Sequence, residues 1–172
     1  NRAMIATRPQ TLPLVLVDDD IEVLASWELI LHANGIENLV LCSDPRTVVP
    51  LIHKREIGVV VLDLNMPKLD GETLLKMLRE YAPEVPVIIC TGANTVEVAV
   101  RCMRLGASDY LVKPVSDTDM LYAIQRAMEL RQLESENERL SKRVLSDTLE
   151  HPEAFSSIIT SSLKMRALFK YA

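Results

Sequence analysis

The chain has 172 residues, 48% of them hydrophobic and 25% charged, with a net charge of -5. Such a length suits one domain with a good core plus an appendage. The acidic balance and the lack of a long basic run argue against direct nucleic-acid binding by this segment. No apolar run is long enough to span a bilayer, and no leader peptide is read at the start, so a cytoplasmic, non-membrane protein is expected. The three cysteines, Cys42, Cys90 and Cys102, are odd in number and lack C-x-x-C spacing. A disulfide framework or zinc site is not expected, and each reads as a small buried hydrophobe.

Residues 1–10 read as a disordered lead-in. The first apolar run, Leu12 to Val17, ends in Asp18-Asp19-Asp20. A helix follows, with Ile21, Leu24, Ala25 and Leu29 on one face, and stops at Asn34-Gly35. The second run, Asn38 to Cys42, leads through Ser43-Asp44-Pro45 to a helix with Val48, Val49, Leu51 and Ile52 on its apolar side. The third run, Ile57 to Leu62, is apolar on both faces, as a central parallel strand must be, and ends at Asp63. Asn65-Met66-Pro67-Lys68 forms a loop, and Asp70-Gly71-Glu72 starts a helix through Leu74, Leu75, Met77 and Leu78. The fourth run, Val85 to Cys90, ends at Thr91-Gly92. The next helix carries Val96, Val98, Ala99, Val100 and Met103 and stops at Gly106. The fifth run, Tyr110 to Val112, ends at Lys113-Pro114, and a long helical pattern runs from Asp117 to about Ser146.

Strands alternating with helices over short connections predict a doubly wound parallel sheet with helices on both faces. Ligand sites in such sheets form outside the carboxyl ends of the strands. Those ends supply Asp18, Asp19 and Asp20, then Asp63, Thr91 and Lys113. Clustered carboxylates repel one another, and a hard divalent cation such as Mg²⁺ relieves that repulsion while leaving room for a phosphoryl oxygen. Lys113 can neutralise a second such oxygen and Thr91 can hydrogen-bond a third. The Asp63 carboxylate can then attack phosphorus, a reaction that needs mainly positioning and charge neutralisation. Taken singly, each residue has a blander role. Asp20, nearest the helix, reads as its N-cap, while Thr91 would be a turn residue and Lys113 part of a solvated loop.

The segments Leu16-Val17-Asp18-Asp19-Asp20, Val61-Leu62-Asp63-Leu64-Asn65-Met66-Pro67, Asp70-Gly71, Thr91-Gly92 and Gly106-Ala107-Ser108-Asp109-Tyr110-Leu111-Val112-Lys113-Pro114 resemble the receiver domain of two-component response regulators. The resemblance covers roughly residues 11 to 130. It implies a flavodoxin-like fold with strand order 2-1-3-4-5 and a module that is not an enzyme in the usual sense. It implies Asp63 as phosphoacceptor. Asp19, Asp63 and the main-chain carbonyl of Asn65 would ligate Mg²⁺, with Asp18 acting through a metal-bound water. Thr91 and Lys113 would hold the phosphoryl group, and Tyr110 would be the aromatic that follows Thr91. The alternative for Tyr110 is a strand aromatic packed on the core. Gly92-Ala93 makes the loop after Thr91 small. His32, His53 and His151 are scattered, so the phosphodonor histidine belongs to another protein, a sensor histidine kinase.

Beyond the expected receiver, 11–127, a linker helix over 128–150 places Leu130, Leu133, Asn137, Leu140 and Val144 at a 3-4 spacing, the seam of a short parallel coiled coil and homodimer. The alternative is a solvated amphipathic helix lying on its own domain. His151-Pro152 breaks the pattern. Residues 151–172, with Phe155 through Met165, resemble the opening of the AAA+ ATPase domain of NtrC-like, sigma-54-dependent transcription activators. By that resemblance the intact parent hydrolyses ATP and engages DNA and sigma-54 RNA polymerase. Two other classes use a similar sheet but fit these residues poorly. A phosphatase of the haloacid-dehalogenase type wants a second acid where Asn65 stands, and a flavodoxin-like cofactor binder wants a phosphate loop where three carboxylates stand. A receiver-shaped dimerisation module that is never phosphorylated is the third alternative.

Overall fold

A computed structural model describes residues 12–150, with the side-chain surroundings of all of these except Glu138, Arg139 and 142–150. The expected lead-in and the expected start of a second domain lie outside the described residues. The elements alternate: β1 (Leu14–Val17), α1 (Ile21–Ala33), β2 (Leu39–Cys42), a 3-10 turn (Pro45–Thr47) opening into α2 (Val48–Lys54), β3 (Val59–Leu62), α3 (Gly71–Tyr81), β4 (Val87–Thr91), α4 (Val96–Arg104), β5 (Asp109–Val112) and α5 (Asp117–Glu150). All strand pairs are parallel, in the order β2-β1-β3-β4-β5, as expected. β1 and β4 start two residues later than their apolar runs, after Pro13 and Pro86, which have no N–H to give to a ladder.

The strand period of two divides the core between the two faces of the sheet. Val15, Val17, Val60, Leu62 and Ile89 join Leu74, Leu75, Leu78 and Cys102. Leu14, Leu16, Val59, Val61, Ile88 and Cys90 join Leu24, Leu31, Met120 and Ile124 on the opposite face. Both sides of β1, β3 and β4 are therefore buried, which explains their unbroken apolar sequence. All three cysteines are buried thiols.

The face expected for α1 is corrected. Leu24 and Leu31 are buried and Trp27 packs against them, whereas Ile21 is 70% and Leu29 73% exposed. This helix is apolar on most sides, so its sequence offers two stripes. The sheet takes the stripe Leu24, Trp27 and Leu31, which carries the larger side chains. In α5, Met120, Ala123, Ile124 and Ala127 are buried at helical spacing. The compact unit that holds the sheet ends at Arg131 and a second unit begins at Gln132. Leu130, Leu133, Asn137 and Leu140 are all exposed. The side chain of Val144 lies outside the described residues.

Candidate functional site

The register puts Val17 beside Leu62, and Leu62 beside Ile89. The residues that follow, Asp18 and Asp63, are thus neighbours at one edge. Main-chain bonds extend the ladders just past the strands: the Asp18 amide donates to Cys42 O (3.2 Å), the Asp63 amide to Val17 O (2.9 Å) and the Lys113 amide to Thr91 O (2.9 Å). These bonds fix the backbone from which the polar side chains project.

Four polar residues are buried among the described ones, Asp18, Asp63, Thr91 and Arg131, and the first three share this edge. Burying unpaired carboxylates is costly, so a partner is required. It is Lys113, whose Nζ lies 2.6 Å from Asp18 Oδ2 and 3.3 Å from Asp63 Oδ2. Partial burial pulls the Lys113 ammonium down. The hydrogen bond and charge of Asp18, with the charge of Asp63 behind them, outweigh this and hold it above the ordinary lysine value. One ammonium does not balance the acids, because exposed Asp19 joins the same group. Carboxylate oxygens of Asp18, Asp19 and Asp63 lie within 4.8 Å of one another. Hard oxygen donors, closely grouped and short of positive charge, fit Mg²⁺, which holds oxygens at about 2.1 Å.

Asp20 is not part of this group. Its side chain accepts from the Glu22 and Val23 amides and caps α1, as expected of it, while its own amide donates to Asp18 Oδ1 (2.9 Å). The Asn65 amide donates to Asp63 Oδ1 across 3.4 Å. Thr91 is fully buried at the end of β4. Its Oγ1 accepts from the Ala93 amide (3.4 Å), and the Tyr110 hydroxyl donates to the Ala93 carbonyl (2.5 Å). Thr91 and Tyr110 therefore grip one residue from two sides. Part of the Tyr110 ring does pack against the core. Burial pushes the Cys90 thiol up to about 11, so at neutral pH it is a protonated core residue and no rival nucleophile.

Three features of this edge escaped sequence reasoning. Ala93 acts only through its backbone and carries no sequence signal. The Arg101 guanidinium binds Glu72 with both arms (Nε to Oε2 2.8 Å, Nη2 to Oε1 2.6 Å), tying α3 to α4. Lys68, in the left-handed region at φ 73°, reaches Asp44 at 3.2 Å and links the loops after β3 and β2.

Comparison with known proteins fits this geometry. Residues 14–125 match the response regulator receiver domain family. The chain is 38% identical over 127 residues to the C4-dicarboxylate transport transcriptional regulatory protein DctD of Pseudomonas aeruginosa, covering 74% of this chain and 27% of that protein. It is 30% identical over 157 residues to the regulatory protein AtoC of Escherichia coli, covering 91% of this chain and 33% of that one. The chain thus spans about a quarter to a third of the curated relatives it matches. Among solved structures, the beryllofluoride-activated NtrC4 receiver domain dimer superposes with a TM-score of 0.65 at 30% identity, over 69% of this chain and 98% of that one.

Proposed function

This chain belongs to the response regulator receiver domain family, and from that premise we propose that it is the phosphorylation-controlled module of a sigma-54-dependent transcription activator, with Asp63 as its phosphoacceptor. The observation that carries this reading is the Asp63 carboxylate itself. It is buried at the end of a central strand, 3.3 Å from the Lys113 ammonium and grouped with Asp18 and Asp19. Mg²⁺, held by Asp19, Asp63 and the main-chain carbonyl of Asn65, with Asp18 acting through a metal-bound water, would offset the carboxylate charge and neutralise a phosphoryl oxygen. Asp63 supplies the attacking oxygen. Lys113 neutralises a second phosphoryl oxygen, and Thr91 hydrogen-bonds a third. To do so the Thr91 hydroxyl turns from the Ala93 amide, and Tyr110, bonded to the same residue, responds. The donor is a sensor histidine kinase, and the module promotes its own aspartyl phosphorylation in the cytoplasm. Among the described residues no helix is long and apolar enough to cross a membrane. Incubation with acetyl phosphate and Mg²⁺ should add one phosphoryl mass. Asp63→Asn should abolish the gain, and unchanged labelling in that variant refutes the assignment.

The output side of the proposal rests on α5, which continues unbroken to Glu150 while Leu130, Leu133 and Leu140 stay exposed. The domain limits we propose are a receiver over 11–127, a coiled-coil linker over 128–150 and the start of an AAA+ ATPase domain over 151–172. Two linkers would pair in parallel through Leu130, Leu133, Leu140 and Val144, with Asn137 meeting its own copy and fixing the register. In the intact parent this dimer would control the ATPase domain and, through it, action on DNA and sigma-54 RNA polymerase. Sedimentation should show a dimer for the full chain and a monomer after truncation at Ala127. Equal masses for the two would remove the linker from the interface.

A further inference from the structure

Gly71 is the first residue of α3, and its backbone sits directly against the peptide that follows Asp63. An ideal Cβ built on Gly71 would lie 2.4 Å from the Asp63 carbonyl oxygen, 2.6 Å from Leu64 Cα and 3.1 Å from the Asp63 carbonyl carbon. All three are main-chain atoms, so no side-chain rotation relieves the clash. The requirement is one of space. The glycines in the left-handed region are Gly35 and Gly106, and Gly71 is not among them. The contact is also bonded, because the Gly71 amide donates to Leu64 O at 3.0 Å.

Given this contact, we infer that Gly71 is a positioning residue for the phosphoacceptor: its bare Cα sets how deeply α3 seats against the Asp63–Leu64 peptide. That depth fixes where the Asp63 carboxylate stands relative to Asp18, Asp19 and Lys113. The inference rests on the phosphoacceptor reading above. The two sides of the contact are not equally free to yield. The helix is anchored by Leu74, Leu75 and Leu78, all fully buried, by the Asp70 cap on Thr73, and by the Glu72–Arg101 ion pair. Asp63 and Leu64 are buried but lie beyond the last strand residue, Leu62, where the Asp63 amide bond to Val17 O continues the β1–β3 ladder by one step. A methyl group at position 71 therefore displaces the strand exit, which carries the reactive carboxylate, before it displaces the helix.

The opposite end of the same strand supplies the control. A Cβ on Gly58 would lie 3.0 Å from Leu12 Cβ and 3.1 Å from Leu12 O, far from the acidic group. The only tryptophan, Trp27, lines a small void with Asp18 and Asp63, so its fluorescence reports on the site. Mg²⁺ and then Mg²⁺ with beryllofluoride are titrated into wild type, Gly71→Ala and Gly58→Ala, with thermal unfolding measured beside each. Gly71→Ala should weaken Mg²⁺ binding by about tenfold or more, the scale of losing a group that orients a ligand. Gly58→Ala should lose stability and keep its Mg²⁺ affinity within about twofold, because the two sites are distant. Wild-type affinity in Gly71→Ala, or equal loss in both variants, overturns the inference. If Gly71→Ala does not fold, hydrogen exchange on wild type decides. Mg²⁺ with beryllofluoride should slow exchange of the Gly71 amide more than that of the Gly58 amide, which donates to Pro13 O at 2.9 Å. Equal slowing refutes the role. A wild type that gives no response to Mg²⁺ at all removes the phosphoacceptor reading and this inference with it.

Discussion

The two edges of one sheet are built on opposite principles. At the amino edge the strands are closed by main-chain bonds and apolar side chains. The Leu14 amide donates to Asn38 O (2.9 Å), Val60 to Pro86 O (3.0 Å) and Ser108 to Val87 O (2.7 Å), and Leu14, Val59 and Val87 have no exposure. At the carboxyl edge, a few residues along the same strands, Asp18, Asp63 and Thr91 are buried instead. Apolar burial stabilises by about 25 cal/mol per Å². Carboxylate burial opposes folding unless a cation answers it. One strand therefore contributes stability at one end and gives up some of it for a reactive group at the other.

The largest expected effect breaks this contrast from the amino edge. Leu14→Ala removes a fully buried side chain from the layer that also holds Leu24, Leu31, Val59 and Ile124. It should cost about 3 kcal/mol in denaturant unfolding, the usual range for a core leucine. Mg²⁺ affinity of the folded fraction should stay unchanged. A shifted affinity would mean that the two edges are not separable.

The next effect comes from the carboxyl edge. Lys113→Met leaves Asp18 and Asp63 buried without their cation, and stability without metal should fall by about 2 kcal/mol, short of a fully buried pair because Lys113 is partly exposed. Mg²⁺ should restore part of that loss, since it answers the same charge. No lysine at the amino edge should show such rescue. The sign with pH follows from the raised Lys113 value. Its contribution is complete below the ordinary lysine pKa and is lost as pH rises through the higher folded value. Wild type and Lys113→Met should therefore converge in stability only in strongly alkaline solution. A gap between them that persists there would assign the loss to packing.

The contrast between the edges also explains what was legible in the sequence. The parallel sheet and the cluster could be read because four of the five strands stop abruptly from apolar to Asp, Thr or Lys, and the parallel fold gathers those ends; the order 2-1-3-4-5 came only with the resemblance to receiver domains. The buried face of α1 could not be read, because Ile21 and Leu29 make a second apolar stripe and only packing on the sheet selects between them. The Glu72–Arg101 bridge joins residues 29 apart, and nothing local in either helix announces it. Ala93 contributes only backbone, and the Asp70-Gly71 motif marks Gly71 without saying which peptide its missing side chain lets approach. Sequence motifs record side chains, so the grip of Thr91 and Tyr110 on Ala93 appears only once β4 and β5 lie side by side.

The smallest effect gives the finest test of the carboxyl edge, because it separates two adjacent aspartates. Asp20 Oδ1 accepts from the Glu22 amide at 2.9 Å and the Val23 amide at 3.3 Å, two donors that α1 leaves free at its start. Asp19 is exposed, with a carboxylate oxygen that reaches the group around Asp63. Asp20→Ala should cost about 1 kcal/mol, as for other lost caps. It keeps the backbone amide that donates to Asp18 Oδ1, so Mg²⁺ affinity should hold. Asp19→Asn should do the reverse, weakening Mg²⁺ binding and slowing phosphorylation with little change in unfolding, since it removes a charge from a site where charges repel. Denaturant melts and Mg²⁺ titrations on the two variants decide between these roles. If both lose stability and neither loses metal, both aspartates serve the helix, and the acidic site shrinks to Asp18 and Asp63.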